Sequence, residues 1–310
     1  SVREIDDAYW NTARKTEDMP KIRQKTTDVA LRKAEVLVEA LPWMRKWSGA
    51  TVVVKYGGSA MEDAALRSKV LEDILLLKLM GVRVVLVHGG GKTISRLMGR
   101  LGLGVDFKNG MRVTNDETMR AVQMALVGQV NVTLVESLNK LGCYAVGLTG
   151  ADGCILRAEQ LDPELGRVGK VREVNADLIQ KTLDSDYIPV IASVGFGTDG
   201  AYNINADFAA SQIAVALHAN KLFFLTDVDG LYADFADKNS LIAQMSVSEA
   251  KSLVHSKKLS SGMIPKIAAA VESIDSGVGQ VTILNGTFPH SILIEMFTNE
   301  GIGTEIHREG

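Results

Sequence analysis

From Thr51 to the end of the chain, short apolar segments alternate with amphipathic segments, and glycines stand at the joints. The apolar segments lack regular polar alternation: TVVVKY, VRVVLV, CYAVGL, YIPVIASV, KLFFLTDV and QVTILN. Strands of this kind are buried on both faces, and strands separated by helices form parallel sheets. The pattern therefore predicts an α/β fold with a mostly parallel open sheet sandwiched by helices. Ligands of such sheets bind beyond the carboxyl ends of the strands, which are the glycine joints here.

Composition limits the classes of function. The 34 Lys and Arg residues against 37 Asp and Glu residues give a net charge of -3, so no overall basic field would attract nucleic acid or an anionic membrane. The apolar segment Ile74 to Met80 is short and interrupted by Lys78, so no membrane span is expected there. Cys143 and Cys154 form no CxxC unit, and we expect reduced thiols in a cytoplasmic protein.

Residues 1–48 differ from the rest because they are charged and poor in glycine. Thr27 or Asp28 can cap a helix with a broad apolar face, which Pro42 would end. We therefore predict an N-terminal helical arm over residues 1–48. A frayed or vector-derived tail is the alternative for its first 20 residues.

The stretch HGGGKT, His88 to Thr93, follows an apolar strand but is not a P-loop. A P-loop would require a glycine at position 86, which is leucine. The N–H groups of Gly90 and Gly91 can still bind a carboxylate or a phosphoryl group, and a purely structural tight turn is the alternative.

A second glycine motif, GFGTDG at 195–200, fits the GxGxxG pattern of dinucleotide sites. The segment AYNINAD separates it from the next helix, whereas a dinucleotide site needs the helix to start at the third glycine. A hairpin or loop turn explains these glycines better, and an NAD site is the weaker alternative.

Three cationic residues lie at the same kind of joint, and together they predict an anion-binding site. Lys55 lies at the end of the first strand, Arg112 follows a glycine turn, and Lys266 lies at a helix start. Asn203 and Asp207 stand at a strand-to-helix passage, where Asp207 could cap the helix or orient a lysine.

The motifs VVVKYGGSAM, LVHGGGKTI, NGMRVT, AYNINAD, LTDVDG and SSGMIPK have the order and spacing typical of the amino-acid kinase superfamily, which residues 49–308 resemble. HGGG with GMRVT and NINAD is similar to the acetylglutamate kinase branch. The resemblance implies an acceptor lobe over residues 49–218 and an ATP-binding lobe over 219–310. It also implies phosphorylation of the side-chain carboxylate of N-acetyl-L-glutamate by ATP, in arginine biosynthesis.

The resemblance implies a role for each site residue. The expected catalytic residues are Lys55, Asp207 and Lys266. The acceptor would contact Gly90, Gly91, Arg112 and Asn203, and ATP would contact Gly57, Gly58, Thr226 and Asp227. Mg²⁺ is expected to arrive with ATP, because the sequence shows no dedicated set of metal ligands.

The closing segment HSILIEMFTNEGIGTEI and the helical extension resemble arginine-inhibited, hexameric members of this branch. This resemblance implies a homo-hexamer and an L-arginine site at Lys258, His290, Glu295 and Gly303. Glu305 departs from the pattern, because a small or apolar residue is expected there. Two alternatives to the kinase assignment remain: a related kinase for another amino acid, and a non-catalytic arginine sensor on the same fold.

Overall fold

The structure, a computed structural model, describes residues 27–108, 110–234, 237, 239–255, 263–299 and 301–309. Residues 1–26 of the predicted arm and Lys258 of the predicted arginine site lie outside the described residues.

Helices and strands alternate along the chain as the sequence pattern predicts. The helices are α1 (Thr27–Glu39), α2 (Leu41–Trp47), α3 (Ser59–Glu62), α4 (Ala64–Leu79), α5 (Gly91–Arg100), α6 (Asp116–Ala125), α7 (Val132–Asn139), α8 (Asp177–Asp184), α9 (Ala206–Ala216), α10 (Val247–His255), α11 (Ile264–Asp275) and α12 (Ser291–Phe297). A π-helix, Leu126–Asn131, joins α6 to α7, and short 3-10 helices span Asp152–Cys154 and Pro163–Leu165.

The strands are β1 (Thr51–Tyr56), β2 (Arg83–His88), β3 (Phe107–Lys108), β4 (Met111–Arg112), β5 (Ala145–Thr149), β6 (Leu156–Gln160), β7 (Val168–Val174), β8 (Ile188–Ala192), β9 (Val194–Gly197), β10 (Gly200–Ile204), β11 (Lys221–Thr226), β12 (Gln244–Ser246), β13 (Gln280–Asn285) and β14 (Thr304–His307).

Eight of these strands form one sheet in the order β12-β14-β13-β11-β1-β2-β8-β5. The neighbours from β13 to β5 pair in parallel, whereas β14 runs antiparallel to β13 and pairs in parallel with β12 at the edge. The strands from β13 to β5 are the six apolar segments of the sequence. The prediction of a mostly parallel open sheet is therefore confirmed.

Helices cover both faces of this sheet, because alternate side chains of a strand enter different cores. Val53 of β1 packs in one apolar cluster, together with residues of α9 and α11. Val52 and Val54 pack in the other cluster, together with residues of α4, α7 and α12. Burial of both faces explains why the strands have no polar alternation.

The sheet continues across the predicted boundary between lobes at residues 218 and 219. Strand β1 of the acceptor segment pairs with β11 of the nucleotide segment, from Val52 beside Lys221 to Lys55 beside Phe224. The division into two lobes remains a prediction.

A second, closed sheet contains β6, β7, β9 and β10 and was not predicted from the sequence. Its strands β9 and β10 form an antiparallel pair with Gly197 beside Gly200. GFGTDG therefore forms a hairpin, as predicted, and does not open a helix as a dinucleotide site requires.

The described part of the arm, residues 27–48, contains two helices where one was predicted up to Pro42. Helix α1 ends at Glu39, and Pro42 lies in the first turn of α2, where its missing N–H removes no helical hydrogen bond. Trp47 at the end of α2 is buried in the second core cluster. The apolar face of α1 is exposed, with Val29 at 57% and Leu37 at 64%.

Within the described residues, one continuous helical stretch, Asp116–Asn139, has the length and composition of a membrane-crossing helix. Its Val122, Leu126, Leu134 and Leu138 are buried in the core of the protein. Core helices meet the same criteria, so the stretch is explained by packing.

Candidate active site

A cavity of about 950 Å³ lies at the carboxyl ends of β1, β2 and β8. These strands are parallel, so the residues that follow them meet at one edge of the sheet. The predicted site residues that line the cavity are Lys55, Gly57, Gly58, Gly90, Gly91, Arg112, Asn203 and Asp207. Lys266 is connected to the cavity through its contact with Asp207.

The carboxylate of Asp207 lies between two ammonium groups. Lys55 Nζ is 2.9 Å from Asp207 Oδ1, and Lys266 Nζ donates a hydrogen bond to Oδ2. Lys55 comes from β1, Asp207 from the first turn of α9 and Lys266 from the first turn of α11. All three side chains are mostly buried, with exposed fractions between 10% and 19%.

The charges of this trio depend on one another. Burial alone would raise the pKa of Asp207, but the attraction of Lys55 and Lys266 outweighs burial and holds the pKa at about 2. Burial and repulsion from Lys55 lower the pKa of Lys266, although Asp207 stabilises its proton. Asp207 is therefore ionised at neutral pH, and with both lysines protonated the trio has one excess positive charge.

Asp207 does not cap α9. The N-cap is Asn205, whose Oδ1 accepts hydrogen bonds from Asp207 N at 2.9 Å and Phe208 N at 3.3 Å. The capping alternative for Asp207 is therefore wrong, and its carboxylate is available to the lysines.

The glycine turn, Gly89 to Gly91, connects β2 to α5. A Cβ atom on Gly90 would lie 2.8 Å from Leu126 Cδ2, so only glycine allows the turn to pack on the π-helix. A Cβ atom on Gly91 would meet nothing within 4 Å. Helix α5 has no side-chain cap at Gly90, so its first N–H groups are available to an anion in the cavity.

The guanidinium of Arg112 braces the start of α5. Its Nη2 donates to Gly91 O at 3.0 Å and to Ser95 Oγ at 2.7 Å, and Nη1 lies 3.3 Å from Met98 Sδ. Burial lowers the pKa of Arg112. The hydrogen-bond partners described for it are neutral, so its charge is available to a substrate anion.

Asn203 is connected to the backbone of Arg112 by two hydrogen bonds that run through Thr114. Its Nδ2 donates to Thr114 Oγ1 at 3.3 Å, and the Thr114 hydroxyl donates to Arg112 O at 2.7 Å. The two predicted acceptor-binding residues are thus connected through Thr114.

Asp227 contacts the loop after β1. Its Oδ1 accepts hydrogen bonds from Ser59 N and Ser59 Oγ, each at 2.8 Å. Gly58 adopts a φ of 77°, and a Cβ there would lie 2.5 Å from Asp227 Oδ1. Thr226 Oγ1 accepts from Val228 N at 2.9 Å within the neighbouring turn. Contact of Thr226 and Asp227 with adenine and ribose remains a prediction, because neither is among the described lining residues of the cavity.

The described residues of the predicted arginine site lie outside the cavity lining. Glu295 Oε2 accepts from Gly303 N at 3.2 Å, so these two residues lie together. His290 precedes α12, which carries Glu295, and its Nδ1 is 2.6 Å from Asp73 Oδ1. Arginine binding at this place remains a prediction.

Glu305, the departure from the family pattern, pairs with a residue that sequence reasoning missed. Lys221 Nζ lies 2.7 Å from Glu305 Oε2 and 4.0 Å from Glu295 Oε1. The acidic residue at position 305 was the only signal in the sequence for this ion pair. It does not identify Lys221, 84 positions away, as the partner.

No group of three or more His, Cys, Asp or Glu side chains in the described part of the chain converges as a metal site. The cavity contains lysine and arginine side chains and backbone N–H groups, which bind anions, and the oxygens of its Asp207 carboxylate already face two ammonium groups.

The model of the Amino acid kinase family matches residues 50–285. The acetylglutamate kinase of Caldanaerobacter subterraneus subsp. tengcongensis is 47% identical over 291 residues, which are 93% of this chain and 97% of that protein. The acetylglutamate kinase of Campylobacter jejuni subsp. doylei is 47% identical over 275 residues, 88% of this chain and 98% of that protein.

Two solved structures are also similar. N-acetylglutamate synthase from Neisseria gonorrhoeae, complexed with coenzyme A and N-acetyl-glutamate, superposes with a TM-score of 0.79 at 29% identity. The match covers 89% of this chain and 64% of the synthase, so this chain spans less than two thirds of that protein. Carbamate kinase from Giardia lamblia bound to AMP-PNP shares the fold, with a TM-score of 0.64 at 18% identity over 84% of this chain and 99% of the carbamate kinase.

The fold and the site define an ATP-dependent kinase, and the chain belongs to the amino acid kinase family. Within that family it belongs with the acetylglutamate kinases.

Proposed function

We propose that the chain transfers the γ-phosphoryl group of ATP to the side-chain carboxylate of N-acetyl-L-glutamate, a step of arginine biosynthesis. The observation that carries the proposal is the pairing of Lys55 and Lys266 with Asp207 beside a cavity that also contains Arg112. The names of the relatives support the choice of acceptor.

One oxygen of the acceptor carboxylate attacks the γ-phosphorus, and the bond from phosphorus to the ADP oxygen breaks. The products are ADP and an acyl phosphate. A glutamate side chain has a pKa of about 4.3, so the acceptor is already ionised at neutral pH and needs no general base. What remains for the protein is alignment of the reactants and neutralisation of charge on the transferring group.

Lys55 and Lys266 supply that neutralisation. They approach Asp207 from different elements, so the carboxylate keeps two ammonium groups close together that would otherwise repel each other. Backbone N–H groups of Gly57 and Gly58 can approach the phosphoryl oxygens, and those of the glycine turn can approach the acceptor, without steric hindrance from a side chain.

Arg112 binds the α-carboxylate of the acceptor in this proposal, and Asn203 binds its acetamido or α-carboxyl end. Both hydrogens of Arg112 Nη2 are already donated to Gly91 O and Ser95 Oγ. Arg112 can therefore bind a carboxylate with two parallel hydrogen bonds from Nε and Nη2 only if Nη2 releases Ser95 Oγ and donates to the substrate instead. The hydrogen bond from Nη2 to Gly91 O keeps the guanidinium in place while Ser95 is replaced.

ATP-dependent kinases use a divalent cation, and we propose that Mg²⁺ enters bound to the ATP phosphates. When bound with ATP, the cation would supply positive charge that offsets the negative charge of the phosphates. Asp207 is an unsuitable ligand because both of its oxygens already face ammonium groups.

The test is a hydroxylamine trap for acyl phosphate with ATP and Mg²⁺, run on N-acetylglutamate, glutamate and aspartate in parallel. Hydroxamate from N-acetylglutamate alone supports the proposal. Product from glutamate or aspartate instead would replace the acceptor, and no product from folded protein that binds arginine would favour a sensor.

Feedback inhibition by L-arginine is a second proposed function. The observation that favours it is the contact of Glu295 with Gly303, which brings two residues of the predicted site together around a carboxylate. A similar solved structure, the Neisseria gonorrhoeae synthase, was complexed with coenzyme A and L-arginine, at a TM-score of 0.75 and 27% identity. Arginine titration of the kinase assay, on the full chain and on a chain lacking residues 1–26, tests both inhibition and the role of the arm.

The exposed apolar face of α1 supports a homo-oligomer in which the arm packs on a second copy, and a hexamer is our proposal for its size. Cys143 and Cys154 are free thiols, which agrees with the proposed cytoplasmic location. Light scattering on the full chain measures the oligomer directly.

A further inference from the structure

His88 is a buried side chain for which the proposed mechanism has no use. It is the last residue of β2, directly before the glycine turn, and its exposed fraction is 0%. A buried imidazole must have its polar atoms satisfied, because an unpaired buried polar atom destabilises the fold. Both ring nitrogens of His88 have a partner: Gly89 O is 2.9 Å from Nδ1, and Asn131 Nδ2 is 3.0 Å from Nε2.

Asn131 is the last residue of the π-helix between α6 and α7. Its Nδ2 donates to Val190 O at 2.9 Å and lies 3.4 Å from Leu148 O, on strands β8 and β5. Single π-helical turns interrupt α-helices frequently at functional sites. Here the turn directs one amide side chain at two strand carbonyls and a histidine.

These contacts determine which nitrogen of His88 is protonated. Two backbone carbonyls can only accept hydrogen bonds, so the atom of Asn131 that faces them is the amide nitrogen. The amide nitrogen has two hydrogens, one for Val190 O at 2.9 Å and one for His88 Nε2 at 3.0 Å, so Nε2 is an acceptor and has no proton. The ring proton is therefore on Nδ1, which donates to Gly89 O. Burial lowers the pKa of His88 to about 4, so the ring is neutral at physiological pH.

The Gly89 carbonyl and the Gly90 N–H belong to the same peptide group. A trans peptide is planar, with C=O and N–H pointing in opposite directions. A hydrogen bond that holds Gly89 O therefore also fixes the direction of Gly90 N–H. Leu126 and Val130 of the same π-helix leave no space for a Cβ on Gly90, which restricts the turn from the other side.

Gly147 on β5 shows how closely the Asn131 amide is packed. A Cβ at Gly147 would lie 2.2 Å from Asn131 Oδ1, so any side chain there would displace the amide. Glycine at position 147 therefore provides the space that the Asn131 amide occupies.

We propose that Asn131 and His88 are positioning residues for the kinase reaction: Asn131 fixes the tautomer of His88, and His88 Nδ1–H holds the glycine turn so that Gly90 N–H is aimed for the acceptor. The proposal rests on the proposed function, which makes the glycine turn part of the acceptor site. Neither side chain touches the reacting atoms.

The test compares Asn131→Leu and Asn131→Asp with Asn139→Leu. Leucine removes the donor at similar volume, and aspartate keeps the shape but can only accept. Asn139 is the matched control, since its side chain bonds Ala145 N and Ala145 O on the same helical stretch and does not contact His88. Nitrogen-15 NMR of labelled histidine, with His88 assigned by the loss of its signals in His88→Gln, reports the tautomer.

In the parent we expect protonated Nδ1 and unprotonated Nε2. Asn131→Asp should place a proton on Nε2, facing the carboxylate, and shift the Gly90 amide resonance. Both Asn131 variants should lower kcat/KM for the acceptor by about 100-fold, as a misplacement of about 1 Å does, with KM for ATP unchanged. Asn139→Leu should lower stability without either effect.

A parent with Nε2 protonated would overturn the proposal. The proposal would also be overturned if the Asn131 variants had the same KM values for ATP and for the acceptor as Asn139→Leu. The NMR measurements need no activity, so a protein that fails as a kinase but shows the expected tautomer and Gly90 shift would reject the proposed function and keep the arrangement of the turn.

Discussion

Lys221 and Glu305 form a buried ion pair, with 2.7 Å between Nζ and Oε2 and exposed side-chain fractions of 2% and 13%. The rings of Phe223 and Trp47 lie 5.2 Å and 5.7 Å from the same ammonium, which is therefore shielded from water. An ammonium group in this environment depends on its carboxylate, because removal of one partner leaves an uncompensated buried charge.

We expect Glu305→Leu to lower the free energy of unfolding by about 3 to 5 kcal/mol in urea denaturation. Glu295, 4.0 Å from the same ammonium, compensates only in part. The double variant Lys221→Met with Glu305→Leu should recover part of the loss, because it removes the unpaired ammonium and leaves Glu295 with the hydrogen bonds from Ile302 N and Gly303 N. The control is Glu159→Leu, which breaks exposed pairs with Lys170 and Arg172 and should cost about 1 kcal/mol or less. Equal stabilities of Glu305→Leu and Glu159→Leu would contradict this account.

Lys266→Met should lower kcat by about 100- to 1000-fold, comparable to removal of one stabilising donor from a transition state. The reason is that Lys266 and Lys55 share Asp207 and jointly neutralise the transferring group. Steady-state kinetics with hydroxamate detection measures the change. The control is Lys181→Met, which removes an exposed pair with Asp177 and should leave kcat unchanged. A Lys266 variant with the parent kcat would remove the lysine from the mechanism.

Arg112→Lys should raise KM for the acceptor by about 10- to 100-fold, the worth of a hydrogen bond to a charged group. Lysine cannot brace Gly91 and Ser95 and also hold a carboxylate, because it lacks the planar fork of arginine. The measurement is kcat and KM at saturating ATP. If kcat and kcat/KM fell by the same factor, Arg112 would act in the transition state alone and the assignment to substrate binding would be wrong.

Asp73 predicts a pH dependence of stability. Burial raises its pKa to about 6, although the hydrogen bond and charge of His290 act to lower it. In the unfolded chain the pKa is about 3.9, so the folded protein holds this proton more tightly. Asp73 therefore contributes stability that is fully present below about pH 4 and is lost as the pH rises through about 6.

The measurement is urea denaturation of the parent and Asp73→Asn between pH 4 and 7. Relative to the variant, the parent should lose about 3 kcal/mol over this interval, since each pKa unit corresponds to about 1.4 kcal/mol. Parallel stability curves for the two proteins would show that Asp73 titrates at its unfolded value.

The sequence predicted the parallel sheet because each of its strands is a continuous apolar run. It did not predict the closed sheet of β6, β7, β9 and β10, whose strands mix buried with exposed positions. The π-helix was also missed, because its apolar side chains fit the period of the α-helices on either side.

For the site, motifs supplied the residues and the structure supplied their contacts. The sequence allowed two roles for Asp207, the N-cap of a helix or the ion-pair partner of a lysine. The structure excludes the first role because Asn205 is the N-cap of α9. His88 and Asn131 lie 43 positions apart, and no local pattern connects them. Contacts across the sheet depend on strand order, which the periodicity of a single strand does not contain.

The pairing of β1 with β11 has a consequence for the integrity of the molecule. If the chain were cut between residues 218 and 219, each fragment would carry a long apolar strand with an open hydrogen-bonding edge. Such open edges would promote aggregation of the separate fragments, so the pairing of β1 with β11 protects the intact chain from association through these strands.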